Sequence, residues 1–225
     1  LDNIKFVPTS AGFEIEENEA KLFINHSCLM YNKSSCQVWK LSMADTDLPL
    51  VLKILSGPDK SEEFFARIFK HIPVFNQEWV GGDDGPDDFM NCGIMQSKFL
   101  GLTAAPPGGK QYMLLESGGL SCDTSVMDLY DWIIKNKDIP IERYVTLATK
   151  ILWQIISQVV CLQKYGVFFF DIKSKNIVVI QKGDHVRVML IDTGGFIFHM
   201  PTFLSKIDTL PNKDDIHMEI KDIHF

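Results

Sequence analysis

Apolar and polar residues alternate along the first third of the sequence, which is the pattern of β-strands that bury one face. The alternation runs through residues 13–16 and parts of residues 20–24, and a second strand is predicted at residues 37–43. Residues 48–55 form a nearly continuous apolar run, which favours a third strand after a turn at residues 45–47. The pattern therefore predicts a β-rich N-terminal part.

A helix and a hairpin are predicted next. Ser61 is suited to N-cap a helix that ends before Pro73. Four apolar residues share one face of this helix: Phe65, Ile68, Phe69 and Ile72. Residues 98–103 and 111–116 then form the strands of a hairpin around a turn at residues 106–109.

Beyond a Ser-Gly-Gly break at residues 117–119, the pattern becomes mainly helical. The predicted elements are helices at residues 126–135 and 141–165, strands at residues 177–181 and 187–191 joined by a turn at residues 182–184, and the start of a helix at residues 214–225. Strands with one helix, followed mostly by helices, predict an α+β fold. We expect a single domain over residues 1–225, with one lobe to about residue 117 and a second from about residue 118.

Composition narrows the class of protein. The chain has 225 residues, of which 46% are hydrophobic and 23% charged, and its net charge is −7. This charge argues against a nucleic-acid-binding face, which needs clustered Lys and Arg. No apolar run approaches the ~20 residues of a membrane span, and the longest, residues 151–162, contains two glutamines and predicts a buried helix. Since the sequence opens on Leu1, we expect any targeting segment to have been removed.

The cysteines leave the compartment open. There are five, without a CxxC pair or a nearby His cluster, so a metal site is not predicted. Cys28 and Cys36 are close enough in sequence to pair across a hairpin, although isolated thiols are the stronger expectation. Residues 25–27 and 32–34 are glycosylation sequons, which matter only if the chain is secreted.

The most specific motif is FFDIKSKN at residues 169–176, followed by Asp192-Thr193-Gly194 sixteen residues beyond Asn176. The pair of motifs resembles the H-R-D-L-K-x-x-N catalytic loop and the D-F-G motif of protein kinases. That resemblance implies that Asp171 accepts or orients the substrate hydroxyl and that Lys173 neutralises the transferring phosphate. It also implies that Asn176 and Asp192 hold Mg²⁺ against the phosphates of ATP.

Two upstream segments extend the resemblance over most of residues 10–200. Residues 51–54 resemble V-A-I-K, which implies that Lys53 contacts the α- and β-phosphates, and Val38 lies fifteen residues before it, as in the family. Residues 112–118 resemble the fifth strand and hinge, which implies that Leu115 is the gatekeeper and that backbone groups from Glu116 to Gly118 meet adenine.

Two neighbouring glutamates are candidates to pair with Lys53. Glu62 shares the apolar stripe of its helix and is preferred over Glu63. Both lie nearer to Lys53 than is usual in kinases, so a solvated glutamate in the first helical turn is an equal alternative.

The sequence also departs from the kinase pattern. The glycine-rich loop should place glycines at residues 31, 33 and 36, but no glycine occurs between Gly12 and Gly57. Such a loop needs glycine for close approach of its backbone to phosphates. Phe169-Phe170 replaces His-Arg, so no arginine is present to receive a phosphorylated activation loop. Only 31 residues follow Gly194, without A-P-E, which implies a shortened C-terminal lobe or further natural residues.

A kinase that keeps the Lys, Asp, Asn and Asp set without the glycine loop resembles the With-No-Gly-loop family. These are secreted apicomplexan kinases and pseudokinases of the parasitophorous vacuole, and they include the bradyzoite pseudokinase. The resemblance therefore implies secretion, ATP with Mg²⁺ as cofactors for active members, and scaffolding for inactive ones.

Three functions are compatible with these observations. The retained catalytic set favours a divergent Ser/Thr protein kinase acting on a protein substrate, and the acidic charge slightly favours a basic substrate or partner. The missing glycine loop favours a pseudokinase that acts as a protein-binding scaffold. A small-molecule phosphotransferase of the aminoglycoside-kinase type shares the Asp and Asn spacing, but Lys173 argues against it.

Overall fold

The computed structural model describes residues 5–8, 12–17, 20–33, 36–43, 46–57, 62, 64, 68, 71, 72, 111–116 and 125–222. The chain forms two compact units. The first comprises Leu1–Asp59 and Lys98–Leu120, and the second comprises Lys60–Ser97 and Ser121–Phe225. Lys60–Ser97 therefore groups with the second unit.

The first unit contains a six-stranded antiparallel sheet whose strands follow one another in chain order. Its strands are β1 (Lys5–Pro8), β2 (Gly12–Glu17), β3 (Ala20–Lys33), β4 (Cys36–Met43), β5 (Thr46–Leu55) and β6 (Gln111–Glu116). A small core on one face of this sheet contains Ile24, Leu41, Leu52 and Ile54. The sheet confirms the predicted β-rich N-terminal part and adds β1, which was not predicted.

Strand β5 lies between β4 and β6 and is buried on both faces. Leu52 and Ile54 belong to the core just described, while Val51, Lys53 and Leu55 point to the opposite face and are also buried. Burial on both faces is the physical reason for the continuous apolar run in this segment. The predicted turn at residues 45–47 is too long, because Thr46 already belongs to β5.

The register of β3 and β4 separates the two cysteines that could have formed a disulfide. Cys28 lies opposite Lys40, while Cys36 lies opposite Lys33. Four positions along a strand correspond to about 13 Å, well beyond the ~7 Å limit between the Cα atoms of a disulfide. This arrangement does not allow a Cys28–Cys36 bridge.

The second unit combines helices with two small sheets. Its elements are β7 (Ser125–Asp128), α1 (Leu129–Asn136), α2 (Ile141–Lys164), β8 (Val167–Phe169), β9 (Ile177–Lys182), β10 (His185–Leu190), β11 (Phe196–Phe198), α3 (Met200–Ile207) and α4 (Lys213–Asp222). Strands pair in the order β10-β9-β7 in one sheet, and β11 pairs with β8 in the other. The long helix, the β9–β10 hairpin and the helix near residue 214 confirm the predicted elements.

One prediction for this unit is corrected, and another is confirmed in part. The helix predicted from residue 126 begins at Leu129, because residues 125–128 pair with β9 as a strand. After Ser61, residues 62, 64 and 68 are helical, and Ile68 and Ile72 are buried as predicted, together with Phe64. Two residues predicted for the buried face, Phe65 and Phe69, lie outside the described residues, as does the predicted strand at residues 98–103.

Helix α2 crosses the second unit with one face in the core and one face exposed. Leu147, Ile151 and Leu162 are buried, whereas Leu152 and Trp153 are exposed. Among the described residues it is the single helix long and apolar enough to cross a membrane, with 28% of the apolar window buried. A core helix of a globular protein can have the same length and composition, so this is weak evidence for a span. The prediction of a buried helix is confirmed for the face that carries Leu147, Ile151 and Leu162, while the opposite face is exposed.

The glutamines of α2 have a structural role. The side-chain amide of Gln154 donates to the carbonyl of Val186 at 2.8 Å and accepts from the N–H of Val188 at 2.8 Å. Gln158 donates to the carbonyl of Val188 at 2.8 Å. Both side chains therefore satisfy backbone groups along the outer side of β10, which explains two polar residues within an apolar helix.

Candidate active site

The FFDIKSKN segment forms the end of β8, an extended stretch and a 3-10 turn at Ser174–Asn176 that leads into β9. Asp171 lies at the centre of this segment. Its Oδ2 atom accepts a hydrogen bond from Lys173 Nζ at 2.6 Å and another from Asn176 Nδ2 at 2.8 Å. Asn176 Nδ2 also donates to the backbone carbonyl of Asp171 at 3.1 Å. Three of the residues predicted for the site thus form one hydrogen-bonded cluster.

These contacts decide how Asp171 can act. The hydrogen bond from Lys173, supported by that from Asn176, lowers the pKa of the Asp171 carboxyl, so the group is ionised at neutral pH. Both donors bind Oδ2, and among the described residues Oδ1 receives no hydrogen bond. Asp171 therefore presents one anionic oxygen that can accept a hydrogen bond from an incoming hydroxyl.

Asp192 comes directly after Ile191, a residue whose backbone is hydrogen-bonded to the same cluster. The N–H of Ile191 donates to the carbonyl of Asn176 at 2.9 Å. Asp192 itself has φ of 64°, the one positive φ among the described residues other than glycine. Asp tolerates this left-handed conformation better than most residues, and such conformations concentrate at functional sites.

The chain after Asp192 packs closely against the catalytic segment. The N–H of Phe170 donates to the carbonyl of Gly195 at 3.4 Å. A Cβ atom built on Gly195 would lie 2.8 Å from the Cβ atom of Asp171. Glycine at position 195 is therefore what allows the two segments to lie side by side.

Asn176 and Asp192 offer an amide oxygen and a carboxylate, which are the hard oxygen donors that Mg²⁺ prefers. Because Asn176 Nδ2 is bound to Asp171, Oδ1 is the amide atom suited to a cation. No group of three or more His, Cys, Asp or Glu residues that could hold a metal ion occurs among the described residues. Since Mg²⁺ is usually bound by one or two protein ligands together with phosphates and water, the pair fits that mode.

Lys175 anchors the catalytic segment to the start of α1, which the sequence did not reveal. Its Nζ atom lies 2.7 Å from Asp128 Oδ2 and 3.3 Å from Asp131 Oδ1, and 4.8 Å from the centre of the Tyr130 ring. Asp128 is also the N-cap of α1, where it accepts from the N–H of Asp131 at 2.9 Å. An N-cap signal at Asp128 was present in the sequence, but the misplaced helix start concealed it.

Replacing Lys175 with methionine should reduce the acid sensitivity of folding. Burial alone raises the pKa of the Asp128 carboxyl, but hydrogen bonds from Lys175 and from the N–H of Asp131 outweigh it and lower that pKa. A lowered pKa in the folded state stabilises the fold above the unfolded pKa, near pH 4, and this stabilisation disappears as the pH falls. The free energy of unfolding, measured with urea, should therefore be larger for wild type than for Lys175→Met at pH 7. The difference between the two proteins should disappear at low pH and at high salt. Parallel curves at every pH would contradict this assignment.

In the first unit, Lys53 lies in the middle of β5, directly opposite Val38 on β4 and Met113 on β6. The spacing of fifteen residues between Val38 and Lys53 therefore makes these two residues direct neighbours on adjacent strands. Val51 and Leu115 form the next pair on the same face, and both are buried. This face of the sheet presents a buried lysine among apolar side chains.

The positions where kinases carry the glycine loop are strand residues here. Residues 31 and 33 belong to β3 and residue 36 to β4, and they are paired across the hairpin, Tyr31 with Val38 and Lys33 with Cys36. Strand β3 ends at Lys33 and β4 begins at Cys36, so two residues connect them. The absence of glycine thus coincides with a tight, regularly paired hairpin at these positions.

The remaining predicted residues are placed as follows. Glu62 is helical and buried within the second unit, and its pairing with Lys53 stays a prediction. Glu116 ends β6, opposite Leu50. Gly118 lies outside the described residues.

Comparison with known proteins identifies the fold. No family model and no curated protein matches the sequence. Among solved structures, vaccinia related kinase 3 matches with 13% identity and a TM-score of 0.55, over 87% of this chain and 54% of that chain. The BubR1 kinase domain matches with 14% identity and a TM-score of 0.55, over 84% of this chain and 51% of that chain. The kinase PK-1 of Cydia pomonella granulovirus matches with 14% identity and a TM-score of 0.51, over 78% and 55%.

The chain spans about half the length of these kinase structures. The match confirms the predicted fold class, and at such low identity it carries no information on the With-No-Gly-loop family. Together, the strand order of the first unit, the elements of the second and these likenesses show that the chain has an α+β, protein kinase-like fold.

Proposed function

We propose that the chain is a divergent protein kinase that transfers phosphate from ATP to serine or threonine hydroxyls of a protein. The observation that carries the proposal is the cluster of Asp171, Lys173 and Asn176, with Asp192 held beside it through the Ile191–Asn176 hydrogen bond. Phosphoryl transfer needs little covalent chemistry from the protein, and it depends on positioning and on charge stabilisation. This cluster supplies both.

In the proposed reaction, the substrate hydroxyl oxygen bonds to the γ-phosphorus while the bond from phosphorus to the β–γ bridging oxygen breaks, leaving ADP. Asp171 Oδ1 accepts the hydrogen bond of the hydroxyl, orients it and receives its proton as the new ester forms. The lowered pKa of Asp171 makes it a weak base, so orientation is its larger contribution. Mg²⁺, when bound, neutralises phosphate charge.

Other residues have proposed roles in binding. Asn176 and Asp192 would hold the metal ion. Lys173 would bind the transferring phosphate, and its ammonium group would then contact both that phosphate and Asp171. Lys53 would bind the α- and β-phosphates of ATP, supported by Glu62. Backbone groups from Glu116 to Gly118 would bind adenine.

A pseudokinase scaffold is the second candidate, and one observation favours it. Residues 31, 33 and 36 carry side chains and are paired as a regular hairpin, so they lack the backbone freedom with which glycines wrap phosphates. The lack of glycine at these positions also supports the proposal that the chain belongs to the With-No-Gly-loop family and is secreted.

Nucleotide binding and transfer distinguish the two candidates. With ATP and Mg²⁺ at about 100 times the dissociation constant, binding should stabilise the fold by about 2.7 kcal/mol and raise the melting temperature. Lys53→Met and Asp192→Asn should abolish this rise, while Lys40→Met, at an exposed position of the same sheet, should retain it. A rise together with transfer of radioactive phosphate to protein supports the kinase. A chain that shows neither supports the scaffold.

A further inference from the structure

Asn176 is the residue through which the parts of the candidate site are joined. Its side-chain amide donates to Asp171 Oδ2 at 2.8 Å and to the carbonyl of Asp171 at 3.1 Å. Its backbone N–H donates to the carbonyl of Lys173 at 2.9 Å, and its own carbonyl accepts from the N–H of Ile191 at 2.9 Å. Because Asp192 comes next, a displacement of Asn176 would disturb all three neighbouring site residues at once.

The chain is held differently on the two sides of Asn176. On the C-terminal side, β9 begins with Ile177, which is buried and pairs with Leu190. On the N-terminal side, residues 171–173 belong to no helix or strand, and Ser174–Asn176 form a single 3-10 turn. Hydrogen-bond geometry in such turns is poor. The N-terminal side therefore needs a further contact to keep Asn176 in place.

Lys175 supplies that contact by closing a ring. Its Nζ atom lies 2.7 Å from Asp128 Oδ2. Asp128 is the last residue of β7 and lies directly opposite Val178 on β9. The chain from Lys175 to Val178, the pairing of Val178 with Asp128 and the ion pair back to Lys175 thus form a closed ring that contains Asn176. We name it the Lys175 ring.

Asp128 is a fixed attachment point for this ring. Its side chain is 19% exposed, and it accepts from the N–H of Asp131 as the N-cap of α1. The ammonium group of Lys175 also lies 3.3 Å from Asp131 Oδ1 and 4.8 Å from the centre of the Tyr130 ring. Since two carboxylates already balance its charge, Lys175 has little to offer a phosphate directly. Its effect on the site has to act through Asn176.

We infer that Lys175 is a positioning residue that, through the Lys175 ring, holds Asn176 in the orientation that serves both the metal ion and Asp171. The metal part of the inference rests on the proposed function. Mg²⁺ requires near-octahedral geometry with ligands at about 2.0–2.1 Å, so it tolerates little displacement of Asn176 Oδ1. Loss of a group that orients a metal ligand typically reduces metal affinity or activity by about 10- to 100-fold.

Nuclear magnetic resonance tests the positioning without nucleotide. The side-chain amide of Asn176 is hydrogen-bonded to a carboxylate and a carbonyl, so its resonances report its orientation. In Lys175→Met these resonances should move, and the amide of Ile191 should exchange with deuterated water about 10-fold faster relative to the amides of α2. Lys175→Arg keeps a cation that can bind both carboxylates and should restore both signals. Lys135→Met is the matched control, because it removes another cation beside α1, bound to Ser125 Oγ, and should change neither.

The metal requirement of nucleotide binding tests the consequence for the site. Binding of a fluorescent, non-hydrolysable ATP analogue is followed by anisotropy as the Mg²⁺ concentration is raised. The concentration for half-maximal binding should rise about 10-fold in Lys175→Met and in Asp128→Asn, and no further in the double variant, because both changes open the same ring. Asparagine caps a helix as well as aspartate does, so Asp128→Asn leaves α1 capped. Lys175→Arg should stay within about 2-fold of wild type.

The two measurements separate this inference from the proposed function, and both are made on folded protein at pH 7. Shifted Asn176 resonances in a chain that binds no nucleotide contradict the kinase but support the positioning. Resonances of Asn176 that are the same in wild type and Lys175→Met overturn the inference, whether or not phosphate is transferred. Nucleotide binding with the same Mg²⁺ requirement in these two proteins, or a Lys175→Arg variant that behaves like Lys175→Met, also overturns it.

Discussion

Replacing Asp171 with asparagine is expected to reduce the rate of phosphoryl transfer by about 10³-fold, because the substrate hydroxyl loses the carboxylate that orients it and receives its proton. Asparagine has the same shape but no negative charge, and it cannot receive the proton of the hydroxyl. It also loses the ion pair with Lys173, whose Nζ lies 2.6 Å from Asp171 Oδ2. The turnover number should fall far more than nucleotide affinity, because the residue acts on the hydroxyl.

The measurement is steady-state transfer to a protein or peptide substrate, together with the thermal shift caused by ATP and Mg²⁺. Asp138→Asn, which removes an exposed carboxylate after α1, is a matched control for the loss of one negative charge. If Asp171→Asn transfers phosphate at the wild-type rate, Asp171 is not the acceptor residue and the proposed mechanism fails.

Replacing Gly195 with alanine is expected to have the second-largest effect, about 10²-fold on turnover. The added Cβ would lie 2.8 Å from the Cβ atom of Asp171, while carbon atoms in contact normally stay about 3.5–4.0 Å apart. Since the contact is to the base of the Asp171 side chain, the catalytic segment has to move. Displacement of a catalytic group by about 1 Å can cost that much in rate.

Gly57→Ala is the control, because no atom lies within 4 Å of the Cβ that it would add. The Gly195 variant should keep its ATP-induced thermal shift if the metal ligands stay in place, so that loss of turnover reports on Asp171. Unchanged turnover in a folded Gly195→Ala protein would show that the close packing of these two segments does not position Asp171.

The sequence predicted the parts of the fold that depend on local pattern. Alternation located most strands of the first unit, and helical spacing located α2 with its first residue correct. The pattern was silent on β8 and β11, because strands of three residues are too short to show a period. It also merged β7 into the following helix, since both are apolar and pairing with β9 decides between them.

In the candidate site too, the sequence predicted what depends on local spacing and missed what depends on the tertiary fold. Motif spacing found Asp171, Lys173 and Asn176, because residues within one loop stay close in space. It could not find Lys175 as an anchor, since Asp128 lies 47 residues earlier and meets it through the fold alone. Nor could it show that Phe169 is buried while its neighbour Phe170 is exposed, because that depends on pairing of β8 with β11.

The two glutamines of α2 have a further consequence, for self-association. An unprotected strand edge is a template on which another chain can add a strand, and such edges lead to aggregation. Gln154 and Gln158 occupy three backbone groups on the outer side of β10. Changing either to leucine would make α2 more apolar and at the same time leave backbone groups of that edge without their hydrogen-bond partner. We therefore expect the amides at these two positions to protect the chain against misassembly.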